Sequence, residues 1–284
     1  MSCACSTLRT ALGGLVFLCA LATVARAEDQ PFLSLDATDI ETASGRELEQ
    51  NFGWNSGMSH RAFSEFEGET EFEYGWNDKL KLAVATSLAW GYSHDHTFPP
   101  SPSNSSTAWG GITGEAVYQA LNVYFDPVGL AVLVAPTIAP DYRGVEAKLL
   151  VQKNFINDRL RFVVNAGGEF GSEKDGSWSD VSALTFDAGL AYNITWAWSA
   201  ALEFNAAHDF SGLMVNGHAV PEATSYYFGP TVQYVAHPWS ASLGFQMQLP
   251  WASDPTHTAG TLDGGYLAEA ERTRVALRIT RDLY

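Results

Sequence analysis

Cysteine is missing from everything after residue 27: Cys3, Cys5 and Cys19 all lie in the first stretch of the chain. No disulfide framework can hold the remainder, so the small disulfide-stapled secreted domains are excluded. Basic residues are scarce too, with 16 Lys and Arg against 32 Asp and Glu. Such a surplus of acid cannot neutralise phosphates broadly, which excludes nucleic acid as a partner. Long apolar runs are lacking beyond residue 27. Nothing there could cross a bilayer as a helix, so a membrane location would require a closed barrel. Gly-rich phosphate loops and zinc-ligand spacings are absent as well. No cofactor, metal or catalytic residue is expected.

What is present begins with an export signal. In MSCACSTLRTALGGLVFLCALATVARA, Arg9 supplies the basic start and Ala11 to Ala22 a short apolar run. Ala25-Arg26-Ala27 has the small-x-small form of a cleavage site, placing the mature start near Glu28. Cleavage would remove two arginines and no acid, making the formal charge of −16 more negative by two. The expected organisation is a signal peptide over 1–27, a polar periplasmic lead over 28–45 and one domain over 46–284.

That domain alternates apolar and polar residues nearly to its end, as strands do. Twelve strands are expected: Arg46–Trp54, Ala62–Gly75, Lys79–Tyr92, Gly111–Phe125, Gly129–Ala139, Gly144–Phe155, Arg159–Gly171, Val181–Asn193, Thr195–Asp209, Thr224–Ala236, Trp239–Leu249 and Glu269–Leu283. Their connections alternate in length. Trp76-Asn77-Asp78, Asp126-Pro127-Val128, Ile156-Asn157-Asp158, Ile194 and His237-Pro238 are short and rich in turn residues. Between them come mostly longer ones: Asn55–Arg61, Ser93–Gly110, Pro140–Arg143, Ser172–Asp180, Phe210–Ala223 and Pro250–Ala268. Short periplasmic turns alternating with long outer loops mark a transmembrane barrel. Aromatics gather near both strand ends, as at bilayer interfaces. The expected fold is therefore all-β: a single twelve-stranded antiparallel transmembrane β-barrel in the outer membrane of a Gram-negative bacterium. A soluble secreted barrel or sandwich has the same period and is the structural alternative. In the last strand Val275, Leu277 and Ile279 have opposite parity to the terminal Tyr284, which a bulge near Thr280–Asp282, or a terminal residue outside the ladder, would reconcile.

The most unusual stretch is Phe63–Trp76, FSEFEGETEFEYGW, with Glu65, Glu67, Glu69, Glu71 and Glu73 at every second position. On a strand they share one face. With the apolar parity on lipid, Phe66, Phe72 and Tyr74 point outward and the glutamates inward. Neighbouring carboxylates about 7 Å apart repel by about 2 kcal/mol at an effective dielectric near 20. The same parity turns Glu47, Glu49, Lys79, Lys81, Lys148 and Arg161 inward, with Arg272, Arg274 and Arg278 on the last strand. Closure puts that strand beside the first, so its arginines are expected to face Glu47 and Glu49. Lys79 and Lys81 are expected to offset part of the acidic wall.

Four segments carry a family resemblance: Glu47-Leu48-Glu49-Gln50, Glu71-Phe72-Glu73-Tyr74-Gly75-Trp76-Asn77-Asp78-Lys79-Leu80, Asp126-Pro127-Val128-Gly129-Leu130-Ala131 and Leu150-Val151-Gln152-Lys153-Asn154-Phe155-Ile156-Asn157-Asp158-Arg159-Leu160. They resemble a group of uncharacterised Gram-negative outer-membrane β-barrel proteins, some loosely labelled transporters. Trp76 departs from the smaller aliphatic residue expected there. The resemblance implies the fold and the location, and brings neither a substrate nor catalytic residues.

The functional expectation is a passive channel or small-solute transporter whose lumen pairs an acidic ladder with basic residues. Outer-membrane lipid, the barrel-assembly machinery and an unidentified small solute are its expected partners. A structural or surface-interaction barrel with an occluded lumen is the alternative. A lipid hydrolase using His208, Asp209 and Ser211 is a weaker one, because closeness in sequence is not triad geometry. His94 and His96 could make a loop metal site, but no third ligand is evident.

Overall fold

The computed structural model describes residues 30–284 apart from 59–60, 96–103, 218, 256–261, 269 and 284. The expected signal, His96 and Tyr284 lie outside the described residues, as do the side chains of His94 and Asp95. Strands β1 (Arg46–Ser56), β2 (Arg61–Asn77), β3 (Leu80–Asp95), β4 (Asn104–Leu121), β5 (Gly129–Ile138), β6 (Tyr142–Phe155) and β7 (Leu160–Asp175) follow one another as an antiparallel meander. β8 (Ser177–Asn193), β9 (Trp198–Ser211), β10 (Val220–Ala236) and β11 (Trp239–Gln248) continue it. A two-stranded ribbon, β12 (Leu262–Asp263) and β13 (Tyr266–Leu267), decorates the last long loop before β14 (Thr273–Leu283). β14 pairs with both β11 and β1, closing a twelve-stranded barrel.

Several boundaries differ from the sequence reading. Ser172–Asp180 is not a long loop: β7 and β8 pair up to Asp175↔Ser177, turning at Gly176 with φ +71°. Ser105–Gly110 belongs to β4 rather than to a loop, although the alternation breaks there. A bulge at Ser87/Leu88, where Gly111 takes φ +96°, inserts one residue. An inserted residue flips side-chain parity, so Trp109 points outward while Glu115 and Val117 face inward. No bulge occurs in β14, whose pairing with β1 runs unbroken from Arg46↔Leu283 to Ser56↔Thr273.

The outer face is apolar: Phe66, Phe72, Val84, Leu88, Phe162, Leu190, Leu202 and Leu243 are all exposed. Trp76, Tyr124, Tyr192, Trp196, Trp198 and Trp239 are exposed at the short-turn end, and Trp54, Trp90, Trp109 and Trp178 towards the other. The interior is mostly polar, with Gln152, Asn165, Glu203 and Ser242 buried. The expected parity therefore holds: glutamates in, aromatics out.

The lead overturns an expectation. Residues 30–43 do not lie outside the barrel on the periplasmic side but fold into it. They start at the short-turn end, where Gln233 Nε2 donates to Gln30 O at 3.0 Å. Midway up, the amides of Leu33 and Ser34 donate to the Glu203 carboxylate at 3.1 and 2.9 Å. The chain then turns back. Asp36 pairs with Lys148 at 3.4 Å, and Thr38 bonds Gln152 and Gln119. Ser44 N reaches Gly75 O at 2.7 Å, beside the β2–β3 turn. Phe32 and Leu35 are fully buried against Val163, Ala191 and Ala201, and Ile40 packs on Val117, Leu133 and Leu150. Apolar burial of a Phe or Leu is worth about 1.5–3 kcal/mol, which explains why these side chains leave water.

The wall is shaped for this segment. A Cβ on Gly189 would stand 2.5 Å from the Phe32 ring, and one on Gly244 would stand 2.6 Å from Leu33 Cδ1.

Candidate functional site

The lead packs against the side of the barrel formed by β4 to β11. On the other side remains a cavity of about 600 Å³. The reason lies in β3. Its residues opposite the glutamates are Ala83, Ala85, Ser87, Ala89 and Gly91, all too small to fill the interior. The cavity is lined by Glu67, Glu69, Glu71 and Glu73 of β2, by Glu49 of β1 and Glu115 of β4, and by Leu33 and Asp36 of the lead. A second cavity of about 40 Å³ lies against Asp39, Glu41, Glu47 and Thr280. Gln30, Glu49, Glu73, Lys81 and Arg278 line both and form the partition between them.

That partition is a set of ion pairs. Lys81 Nζ sits 2.8 Å from Glu73 and 3.2 Å from Glu115. Arg278 Nε lies 3.1 Å from Glu49 and 3.2 Å from Asn51 Oδ1. Its two terminal nitrogens donate to the Phe32 and Leu33 carbonyls at 3.2 and 3.3 Å. Arg278 thus joins the acidic wall to the lead. Two acid–acid cross-strand pairs on β1–β2, Glu47↔Glu73 and Glu49↔Glu71, with Asn51↔Glu69 beside them, concentrate negative charge here. Directly opposed like charges destabilise a sheet, so the two cations are what the register requires. Glu69 takes a weaker contact from Asn51 Nδ2 at 3.4 Å, and Glu67 one from Asn55 at 3.4 Å.

Other expected residues lie elsewhere. Lys79 is exposed in the β2–β3 turn, its amide on Asn77 Oδ1, because β3 begins only at Leu80 and the inward face of that strand starts with Lys81. Arg272 and Arg274 do not face Glu47 and Glu49. The register sets them nearly a whole strand away, and they serve the long-loop end. Arg272 pairs with Asp263 at 3.2 Å and covers the Tyr266 ring; Arg274 pairs with Glu271 and stacks on Tyr227. Lys148 holds Asp36 and Glu146, and Arg161 is buried under the lead. Glu65 continues the ladder at Asn55, above the cavity walls. Glu115 and Asp36 were not anticipated. Glu115 shares parity with the inward Val117 and Gln119, a signal present in GEAVYQ.

The hydrolase arrangement does not form. His208 bonds Thr224 and meets the Phe210 ring edge to face. On β9 it has the opposite parity to Asp209 and Ser211, which share that of the inward Glu203 and Asn205. Glu41, Glu47 and Glu73 bring carboxylate oxygens within 4.8 Å of one another. Lys81 already neutralises Glu73.

Known structures share the fold. An outer-membrane channel from Pseudomonas putida F1 superposes with a TM-score of 0.63 at 13% identity, covering 88% of this chain and 100% of its own. The NanC porin gives 0.54 at 12% identity, covering 83% and 100%. The β domain of the Bordetella autotransporter BrkA gives 0.53 at 9% identity, covering 84% and 100%. At such identities the likeness speaks for architecture alone. No curated protein sequence matches the chain. Residues 24–282 match the profile of DUF6662, a family of unknown function, and the chain belongs to that family.

Proposed function

We propose that the protein is an outer-membrane channel for small cationic solutes, with a path running between the β1–β4 wall and the lead. The observation that carries this reading is the 600 Å³ cavity lined by four successive glutamates and partitioned from a smaller one by Glu49, Glu73, Lys81 and Arg278. Rings and ladders of carboxylate favour cations at close quarters. The apolar outer face between aromatic ends supports burial in lipid, and an outer-membrane barrel of this kind would be inserted by the barrel-assembly machinery. In planar bilayers under a salt gradient, the reversal potential should report cation preference. Glu69→Gln with Glu71→Gln should move it towards zero while leaving the barrel folded. Anion preference, or a potential indifferent to both changes, sinks the reading.

A second reading is favoured by the lead itself. A barrel whose interior is half filled suits a structural or surface-interaction protein whose loops meet partners. Shortening the 250–268 loop should then abolish an envelope phenotype that the Glu69→Gln, Glu71→Gln pair leaves intact.

A further inference from the structure

We infer that residues 30–43 are a movable plug, docked here, that swings about Ser44–Gly45 and so sets how much of the interior a solute can use. The inference rests on the channel reading above.

Docking is specific. Phe32 fills a recess that exists because residue 189 is glycine, and Leu33 fills one beside Gly244. A segment caught by chance would not find its side chains matched by missing ones in the wall. Docking is also separable from the barrel. Each neighbouring pair of strands is complete without the lead, from β1–β2 round to β14–β1. The lead joins backbone to backbone at its base, through Ser44 N to Gly75 O and Gly75 N to Gly45 O. Away from that point, its contacts with Glu203, Gln152, Gln119 and Arg278 involve wall side chains. Those groups can turn to water in an open lumen, whereas a strand ladder cannot be given up without opening the sheet. Ser44 carries φ 68°, so the chain reverses sharply where the pivot would lie.

Arg278 ties the plug to the acidic wall. One guanidinium holds two carbonyls of the lead and Glu49 of the acidic wall. Releasing the plug leaves Arg278 with Glu49 still beside it, so undocking strands no charge. Glu203 is the opposite kind of contact. It is fully buried and is satisfied by lead amides, Ser34 Oγ and Thr231, and undocking would hydrate it.

The test uses the absence of cysteine after residue 27. A Cβ on Gly129 would lie 3.1 Å from Thr38 Cβ, close to disulfide range. Full-length Thr38→Cys, Gly129→Cys protein is reconstituted in planar bilayers, oxidised and then reduced. Gly189→Leu, which evicts Phe32, and Phe32→Ala are recorded beside it, with heat-dependent gel mobility confirming that each barrel folds. Conductance should fall several-fold on oxidation, recover on reduction, and rise several-fold in Gly189→Leu and Phe32→Ala with cation preference retained. If the wild type conducts with cation preference but neither the crosslink nor the two variants change conductance, the lead is a fixed wall and the plug is refuted alone. If no form conducts, reduced or evicted, the channel reading falls and takes the plug with it.

Discussion

Lys81 is the residue on which the acidic wall turns. Its ammonium is shared by Glu73 and Glu115, and all three side chains are largely buried. Removing one partner of a buried charge set costs about 3–5 kcal/mol because the remaining charges stay uncompensated. Lys81→Met should therefore lower the urea midpoint of vesicle-inserted protein, and adding Glu73→Gln should return most of the loss. An unchanged midpoint would mean that water in the cavity already screens the pair. The inward direction of Glu65 to Glu73 was legible because a period of two admits one face. The surroundings of Lys79, Arg272 and Arg274 were not. Lys79 falls in the turn before β3 begins, and Arg272 and Arg274 find acids in a loop whose path no strand period encodes.

At the scale of the element, β3 decides where the empty space lies. Its inward residues run Ala83, Ala85, Ser87, Ala89 and Gly91, and the cavity is their absent volume. Ala89→Trp should fill that space and cut single-channel conductance strongly while leaving the unfolding midpoint near wild type. Full conductance in the variant would place the path elsewhere. These small residues stand plainly in the sequence, but their meaning depends on which strand faces which. β4 was harder. Its outer half, NSSTAWG, is polar and out of phase with the inner half, and a change of phase at a bulge looks like the end of a strand. The β7–β8 hairpin was lost for a related reason. GSEKDGSWSD has the composition of a loop, yet strands rising beyond an apolar belt can be as polar as loops.

For the whole molecule, the barrel and its closure followed from alternation and loop lengths, and the structure has both. The proposed location is checked by fractionation. The protein should sediment with the outer membrane and resist carbonate extraction. It should also migrate faster on gels unheated than boiled; recovery in the soluble periplasmic fraction would reverse the lipid-facing assignment. The lead was misjudged because its polar residues outnumber Phe32, Leu33, Leu35 and Ile40, and because nothing local distinguishes an interior side chain of a plug from one of a tail. Its path has one more consequence. The segment enters and leaves through the same mouth, from Gln30 beside Gln233 to Gly45 beside Gly75. It is a loop laid in the barrel, not a thread passed through it. No end of the chain has to cross the ring of strands, so the seam between β1 and β14 can close before the segment is seated, and assembly needs no knot to be tied.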